Sequence, residues 1–292
     1  PEDQADIQQQ LENRLRESLK GQMIADVPLG AFLSGGIDST TIVALMQSLS
    51  EKKINTFSIG FRENEFNEAD HARLVAQHLG TEHHEFIVTH ADALAVVPDL
   101  PSIWDEPFAD ASQIPTYLVS KLARQSVKVC LSGDGGDELF GGYNRYLLGY
   151  SLWANLNKVP AAFRHVIASS INALSPRTIH ALSRYLPEKY RYAEPDHKLG
   201  KLAAILDADD VNDFYNRILS HWNEPADVLM DSPAGQALNV AGKGRTVSGH
   251  VAVEQMMQQD MHLYLPDDIL TKVDRASMSV GLETRLPYLE HH

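Results

Sequence analysis

Leu33-Ser34-Gly35-Gly36-Ile37-Asp38-Ser39-Thr40 follows a β-rich apolar run, Val27 to Leu33, and leads into Ser39 to Leu49, whose pattern is helical. In an α/β sheet, the junction where a strand breaks into glycines and then a helix is where ligands bind. Two adjacent glycines let the backbone bend until consecutive N–H groups converge, and the following helix points its positive end at the same spot. The product is an anion nest, to which Ser34, Ser39 and Thr40 add hydroxyl donors. Asp38 is odd in that company, because a carboxylate repels phosphate unless a cation lies between them; a magnesium ion resolves the conflict. A plainer reading makes Ser34-Gly35-Gly36 a flexible turn and Asp38 a helix N-cap. The stretch is not a Walker loop, and Gly242-Lys243 lacks the upstream glycine and the following Ser or Thr that such a loop needs. No segment carries the dinucleotide-binding glycine spacing.

Around this junction the chain alternates strand and helix as far as Tyr150. Ile54 to Phe61, His84 to Val88 and Val127 to Leu131 read as strands, and Glu68 to Leu79 and Ile114 to Arg124 as helices, with another helix opening at Asp137. A helix is also expected from Asp6 to Lys20, where Ile7, Leu11, Leu15 and Leu19 recur at four-residue spacing. Such alternation predicts an α/β fold, a parallel sheet flanked by helices. After Tyr150 the strand signal fades. Ser151–Ala173, Thr178–Tyr185 and Asp209–His221 read as helices broken by prolines, and Asp231 to Gly249, rich in Gly, Ala and Ser, reads as a loop. The expected organisation is an α/β core over residues 1–150 and a mainly helical portion over 151–292.

A second strand end, Leu131, runs into Ser132-Gly133-Asp134-Gly135-Gly136-Asp137-Glu138-Leu139-Phe140-Gly141-Gly142-Tyr143. Asp134, Asp137 and Glu138 cannot all face one another uncompensated away from water, so a shared metal is one reading and a solvated acidic turn the other. The EF-hand spacing with its distal Glu is missing.

Composition narrows the function classes. With 292 residues, 43% of them hydrophobic, the chain can bury a full core. A formal charge of −14 works against a sequence-independent grip on nucleic acid or anionic lipid. No apolar run approaches the roughly 18 residues of a membrane span, and the chain is read as cytoplasmic. The single cysteine, Cys130, sits in the apolar run Val127-Lys128-Val129-Cys130-Leu131 and is expected to be a buried small hydrophobe. His83-His84 with His78 and Glu85 do not make a metal site, because adjacent strand residues face opposite sides. Pro1 in first place, with a helical pattern at once behind it, is read as a start inside a longer protein.

Taken together and in order, Ser34 to Ser39, Thr56-Phe57-Ser58-Ile59-Gly60-Phe61, Asp105-Glu106-Pro107, Ser132 to Tyr143, Lys272-Val273-Asp274-Arg275-Ala276-Ser277-Met278 and Glu283-Thr284-Arg285-Leu286-Pro287-Tyr288-Leu289 span nearly the whole chain. They resemble the synthetase domain of the asparagine synthetase B family. The resemblance implies an ATP pyrophosphatase (PP-loop) fold, related to the adenine nucleotide alpha hydrolases. In it Ser34, Gly35, Gly36, Asp38 and Ser39 hold pyrophosphate, Asp38 and Asp137 bind magnesium, and Leu33 with Ser58 and Ile59 frames the adenine. Ser132 and Gly133 approach the nucleotide. It also implies the reaction: aspartate is adenylated by ATP, and ammonia then gives asparagine and AMP. The ammonia comes from a glutaminase domain of the same polypeptide, N-terminal to the stretch seen here.

Displacement at phosphorus needs positive charge near the phosphates, and Lys272 and Arg275 are the candidates. The family's catalytic lysine aligns with Arg275, which cannot give up a proton as a lysine can; a solvated basic helix face is the plainer reading. Asp134 stands where many relatives have Glu, at the position that contacts the intermediate or guides ammonia. Asp105, Glu106 and Asp110 to Gln113 are read as shaping the acceptor site, though a turn before a helix explains Glu106-Pro107 equally well. Two rivals remain: the same adenylating chemistry on another carboxylate, in a sugar, a peptide or a β-lactam precursor, and a nucleotide-binding domain without catalysis. Nothing in the sequence specifies an oligomeric state.

Overall fold

The computed structural model describes residues 4–61, 68–183, 195–220 and 252–291. The chain divides into two compact units, Pro1–Phe140 with Tyr264–His292, and Gly141–Leu263. The last stretch described, from Tyr264, thus groups with the first part of the chain.

The first unit is built on five strands, β1 (Leu29–Phe32), β2 (Asn55–Phe61), β3 (Glu82–Val88), β4 (Val129–Leu131) and β5 (Glu283–Arg285), in the order β3-β2-β1-β4-β5. Every pairing is parallel, with Gly30 opposite both Asn55 and Cys130. A Cβ on Gly30 would sit 2.7 Å from the Asn55 carbonyl oxygen and the Phe57 ring, so only glycine lets the central strands lie at this spacing. From β1 the chain steps outward to β2 and β3, then returns to the other side of β1 as β4. The switch point falls between β1 and β4, and both glycine loops leave from these two strand ends.

Parallel strands covered on both faces alternate their side chains between two cores. Ala31, Leu33, Val129 and Leu131 pack with Leu15 and Leu19 of α1 (Gln4–Gln22), Ile42, Val43 and Met46 of α2 (Ile37–Leu49), and Ala72 and Ala76 of α3 (Ala69–Leu79). The intervening Phe32 and Cys130 turn to the opposite face, where they meet Phe57, Val127, Leu282 and Ala123 of α6 (Gln113–Ala123). Cys130 is fully buried there, and burial pushes its thiol well above the ordinary range, as expected of a small hydrophobe. Beyond β3 run α4 (His90–Val96) and the short α5 (Leu100–Trp104), and α7 (Gly136–Phe140) opens the second loop. α14 (Thr271–Ser279) follows a π-helical turn at Leu265–Leu270 and leads into β5.

β5 corrects the expectation that strands end with the first half of the chain. Its three residues, Glu283-Thr284-Arg285, carry no apolar signal, and they are recruited by pairing with β4 from Val129↔Glu283 to Leu131↔Arg285. Arg285 then donates to the carbonyls of Gln22 (2.6 Å) and Ile24 (2.8 Å), tying the strand to the end of α1.

The second unit is helical in its described residues: α8 (Asn144–Leu156), α9 (Ala161–Asn172), α10 (Pro176–Ser183), α11 (Pro195–Leu206), α12 (Val211–Leu219) and α13 (Ala252–His262). Pro160 separates α8 from α9, so Ser151–Ala173 is helix broken at a proline, as its sequence reads. Its core is Tyr146, Phe214, Tyr215 and Met256. Fully buried Asp260 accepts three hydrogen bonds there on one oxygen, from Arg145 (2.7 Å), Tyr146 (2.6 Å) and Tyr215 (2.7 Å). The loop expected at Asp231 to Gly249, and Gly242-Lys243 within it, lie outside the described residues. Among the described residues no helix is long and apolar enough to cross a membrane.

Candidate active site

At the end of β1, the Leu33 N–H donates to the Phe57 carbonyl (2.9 Å), the last ladder bond before the chain turns. Gly35 then takes φ of 82°, and a Cβ there would lie 2.7 Å from the Ala72 nitrogen, so the loop apex rests against the first turn of α3. Within the loop the Ser34 and Ser39 hydroxyls are 2.9 Å apart, and the Gly36 N–H donates to Ser34 Oγ (3.2 Å). These bonds hold the turn open as a cup. The N-cap of α2 is Gly36, with extended backbone and no side-chain cap. Asp38 therefore lies in the first turn, which sets aside its reading as the N-cap. The uncapped first turn keeps the partial positive charge that favours an anion. The Thr40 hydroxyl is buried in this turn without a partner.

The second loop locks onto the first. A Cβ on Gly133 would approach the Ser39 nitrogen to 2.8 Å, and one on Gly136 would come within 2.6 Å of the Asp38 carboxyl carbon. Glycine at both places lets two loops from neighbouring strands touch, backbone against backbone at Gly133 and backbone against the Asp38 carboxylate at Gly136. Asp134 accepts from Ser132 Oγ at 2.5 Å, and the Ser132 N–H is held by the Arg285 carbonyl (2.9 Å). Asp38 is held above the ordinary carboxyl range, first by burial and then by the like charges of Asp137 and Asp134. The three carboxylates thus share one neighbourhood, and a cation among them would relieve that repulsion.

The loops stand on a floor formed by the end of the chain, to which sequence reading gave no role beyond the resemblance. Tyr288 donates from its hydroxyl to the Asp38 carbonyl (3.2 Å) and meets Phe140 edge-on. Its hydroxyl is pushed up to about 12, by burial and then by the Asp38 charge. Leu289 fills the space where Gly135, at φ of 91°, lacks a side chain. The available signal was an aromatic and a leucine placed directly after Pro287, where no helix or strand pattern claims them.

Other expected residues lie in different surroundings. The Leu33 side chain is in the core, Ile59 packs against the cluster of Val88, Val96 and Leu118, and Ser58 is buried with its hydroxyl 3.1 Å from His83 Nε2. His83 also bridges to Thr56 (3.0 Å), while His84 stacks on Phe57 and bonds Asn55, so the two histidines do face opposite ways. Lys272 is buried, its ammonium 2.8 Å from both Asp110 Oδ2 and Ser112 Oγ. Arg275 donates to the Trp104 carbonyl and faces Glu106 at 3.4 Å. The cations expected at the phosphates are thus committed to the stretch Trp104 to Ser112. Among the described residues no three His, Cys, Asp or Glu side chains are arranged as a ready metal cage.

The asparagine synthase family model matches residues 10–292. The chain is 30% identical over 283 residues to asparagine synthetase [glutamine-hydrolyzing] 1 of Bacillus subtilis, covering 96% of this chain and 42% of that protein. It is 43% identical over 158 residues to putative asparagine synthetase [glutamine-hydrolyzing] 2 of Methanocaldococcus jannaschii, covering 54% of this chain and 30% of that one. To asparagine synthetase B [glutamine-hydrolyzing] of Escherichia coli it is 34% identical over 152 residues, covering 46% and 27%. It spans less than half the length of each. A parallel sheet with its two glycine loops at the switch point, and a match over nearly its whole length, agree: the chain belongs to the asparagine synthase family.

Proposed function

We propose that this chain is the amide-forming part of a glutamine-dependent asparagine synthetase. The observation that carries the reading is the interlock of the two loops, in which Gly133 and Gly136 admit the second loop against Ser39 and Asp38. In this reading the nucleotide would lie across the two strand ends that the contact joins. In the proposed reaction an oxygen of the aspartate side-chain carboxylate attacks the α-phosphorus of ATP, and the bond to pyrophosphate breaks. Ammonia nitrogen then attacks the acyl carbon, the bond to AMP breaks, and a proton is released.

The cup of Ser34, Gly35, Gly36 and Ser39, with the uncapped turn of α2 behind it, would take the pyrophosphate. Leu33 and Ser58 have their side chains committed to the interior, so with Ile59 they would meet the adenine through their backbone, as would Gly133. The donor set suits magnesium: hard carboxylate oxygens of Asp38 and Asp137 that crowd without a cation, with phosphate and water to complete the shell. When bound, magnesium supplies neutralisation of the leaving pyrophosphate's charge. Asp134, which accepts from Ser132, would contact the intermediate or guide the incoming ammonia. Ammonia would come from a glutaminase domain of the longer, cytoplasmic protein, as the relatives' names imply for them.

The test supplies the full-length enzyme with ATP, magnesium, ammonium and aspartate, and follows AMP, pyrophosphate and asparagine together. Equal amounts of all three are expected. ADP in place of AMP refutes the adenylating chemistry, and AMP without asparagine directs the reading to another carboxylate.

A further inference from the structure

Four side chains form one hydrogen-bonded row beneath α3. Phe57 and Ile59 of β2 turn to the face covered by α6, so Thr56 and Ser58 turn to the face covered by α3. Both are buried. His83 of β3 lies opposite Thr56 in the ladder and bridges the two hydroxyls, with Nδ1 3.0 Å from Thr56 Oγ1 and Nε2 3.1 Å from Ser58 Oγ. Thr56 Oγ1 also meets Thr81 Oγ1 (3.0 Å), and the Thr81 N–H donates to the Ala76 carbonyl (3.1 Å) in the last turn of α3. A hydroxyl can donate or accept, so a neutral imidazole completes the row in either tautomer, one nitrogen donating and the other accepting. Burial draws the imidazole toward that neutral form; Glu85 pulls the other way, while His84 and Arg73 add to the effect of burial. Glu85 is itself engaged, since Arg73 of α3 donates to both of its oxygens, at 2.7 and 3.0 Å.

The row connects to the first glycine loop in two ways. The Leu33 N–H, the last before that loop, donates to the Phe57 carbonyl (2.9 Å), which belongs to the same peptide unit as the Ser58 nitrogen. By holding the Ser58 hydroxyl, His83 fixes the rotation of the peptide from which the loop hangs. The second connection runs through α3, whose buried Ala69, Ala72 and Ala76 bring the helix close onto the sheet. Its first turn is the stop for the loop apex: a Cβ on Gly35 would lie 2.7 Å from the Ala72 nitrogen and 2.8 Å from His71 Cβ. Close-packed interiors transmit a shift rather than absorb it. An apolar row could fill the same space, but a fully paired polar row adds direction, because each bond fixes an orientation.

We propose that His83 is a positioning residue for the phosphate loop, acting through its bond to Ser58 and through the seat of α3. The proposal rests on the nucleotide reading above. The test uses the full-length enzyme and four variants. The amide of His83→Gln reaches as far as Nε2 and can keep the Ser58 bond, whereas that of His83→Asn reaches only as far as Nδ1 and can keep the Thr56 bond. His83→Phe keeps neither, and Ser58→Ala removes the hydroxyl with the smallest change in volume, which leaves the test open where His83→Phe fails to fold. Two quantities are read: the Kd of a non-hydrolysable MgATP analogue, and hydrogen exchange in the free enzyme, by mass spectrometry, of peptides covering Leu33 to Asp38 and of peptides covering β4. His83→Asn, His83→Phe and Ser58→Ala should each weaken nucleotide binding about fivefold or more, the worth of one ordinary hydrogen bond. Exchange in the Leu33 peptides should quicken by a similar factor while β4 keeps its protection. His83→Gln should stay within about twofold of the wild type in both. His83→Phe combined with Ser58→Ala should lose no more than either alone, because both remove the same bond. Losses that add overturn the proposal, since they place the Ser58 hydroxyl on the nucleotide itself. Faster exchange in both stretches, which means a general loss of stability, also overturns it, as does a wild-type nucleotide Kd in folded His83→Asn and Ser58→Ala. If the wild type binds no MgATP analogue, the nucleotide reading falls on its own account, and exchange in the Leu33 peptides still decides for or against His83 as the residue that holds the loop.

Discussion

Gly136→Ala isolates the contact on which the proposed nucleotide site depends. The added methyl would come within 2.6 Å of the Asp38 carboxyl carbon and 2.7 Å of one of its oxygens. Carbon atoms settle at about 3.5 Å, so the carboxylate must retreat by roughly 0.9 Å. The obstacle is the end of a side chain rather than backbone, and Gly136 opens α7 without positive φ, so Ala gains up to about 1 kcal/mol of helix propensity. Stability should therefore change by less than about 1 kcal/mol. Catalysis should not be so tolerant, since a displacement of about 1 Å at a reacting site can cost on the order of 10²-fold. Thermal unfolding and AMP formation measured on the same preparation separate the two effects. A variant with wild-type turnover refutes the claim that Asp38 must stand where glycine lets it stand. A variant that fails to fold refutes the claim that the obstacle is only a side chain.

Asp38→Asn should abolish turnover yet raise Tm in magnesium-free buffer. The Asp38 carboxyl is raised, so its stabilising form is the protonated one, present at low pH and lost as pH rises through the folded-state value; Asn preserves that neutral state at pH 7. Magnesium should raise the Tm of the wild type and leave this variant's unchanged, as read by differential scanning calorimetry. Tyr288→Phe removes the bond to the Asp38 carbonyl and should cost about 1 kcal/mol of stability with a several-fold rise in ATP KM. Because the Tyr288 hydroxyl is raised to about 12, its contribution should be full below pH 10 and fade between roughly 10 and 12, which urea unfolding across that range would show. Asp260→Asn leaves Arg145 without its buried counter-charge and should destabilise by about 3–5 kcal/mol, whereas a loss under 1 kcal/mol would mean the network is incidental.

What the sequence discloses is what is written in local pattern. The apolar runs around Ala31, Phe57 and Cys130 announce central strands, because both faces are buried and nearly every residue there is apolar. The glycine loops are legible for a related reason: backbone that must touch backbone at Gly133 and the Asp38 carboxylate at Gly136 leaves glycine as the residue, and glycine at a strand end is visible. β5 was hidden because Glu283-Thr284-Arg285 is an edge strand stabilised by its pairing and by Arg285 reaching back to α1, contacts more than 250 residues away in sequence. Tyr288 was hidden for the same reason, since its partner is Asp38. Lys272 and Arg275 were recognised as important cations, but their partners, Asp110, Trp104 and Glu106, are set by tertiary packing that no spacing on α14 reveals.

The central claim is adenylation of a carboxylate, and the most direct measurement follows its oxygen. Aspartate labelled with ¹⁸O in the side-chain carboxyl would be turned over by the full-length enzyme with ATP and ammonium, and the AMP examined by mass spectrometry. One labelled oxygen in the phosphate of AMP for each asparagine formed is predicted, because the oxygen that attacks phosphorus leaves with AMP. Unlabelled AMP, or label appearing in inorganic phosphate beside ADP, would contradict the account.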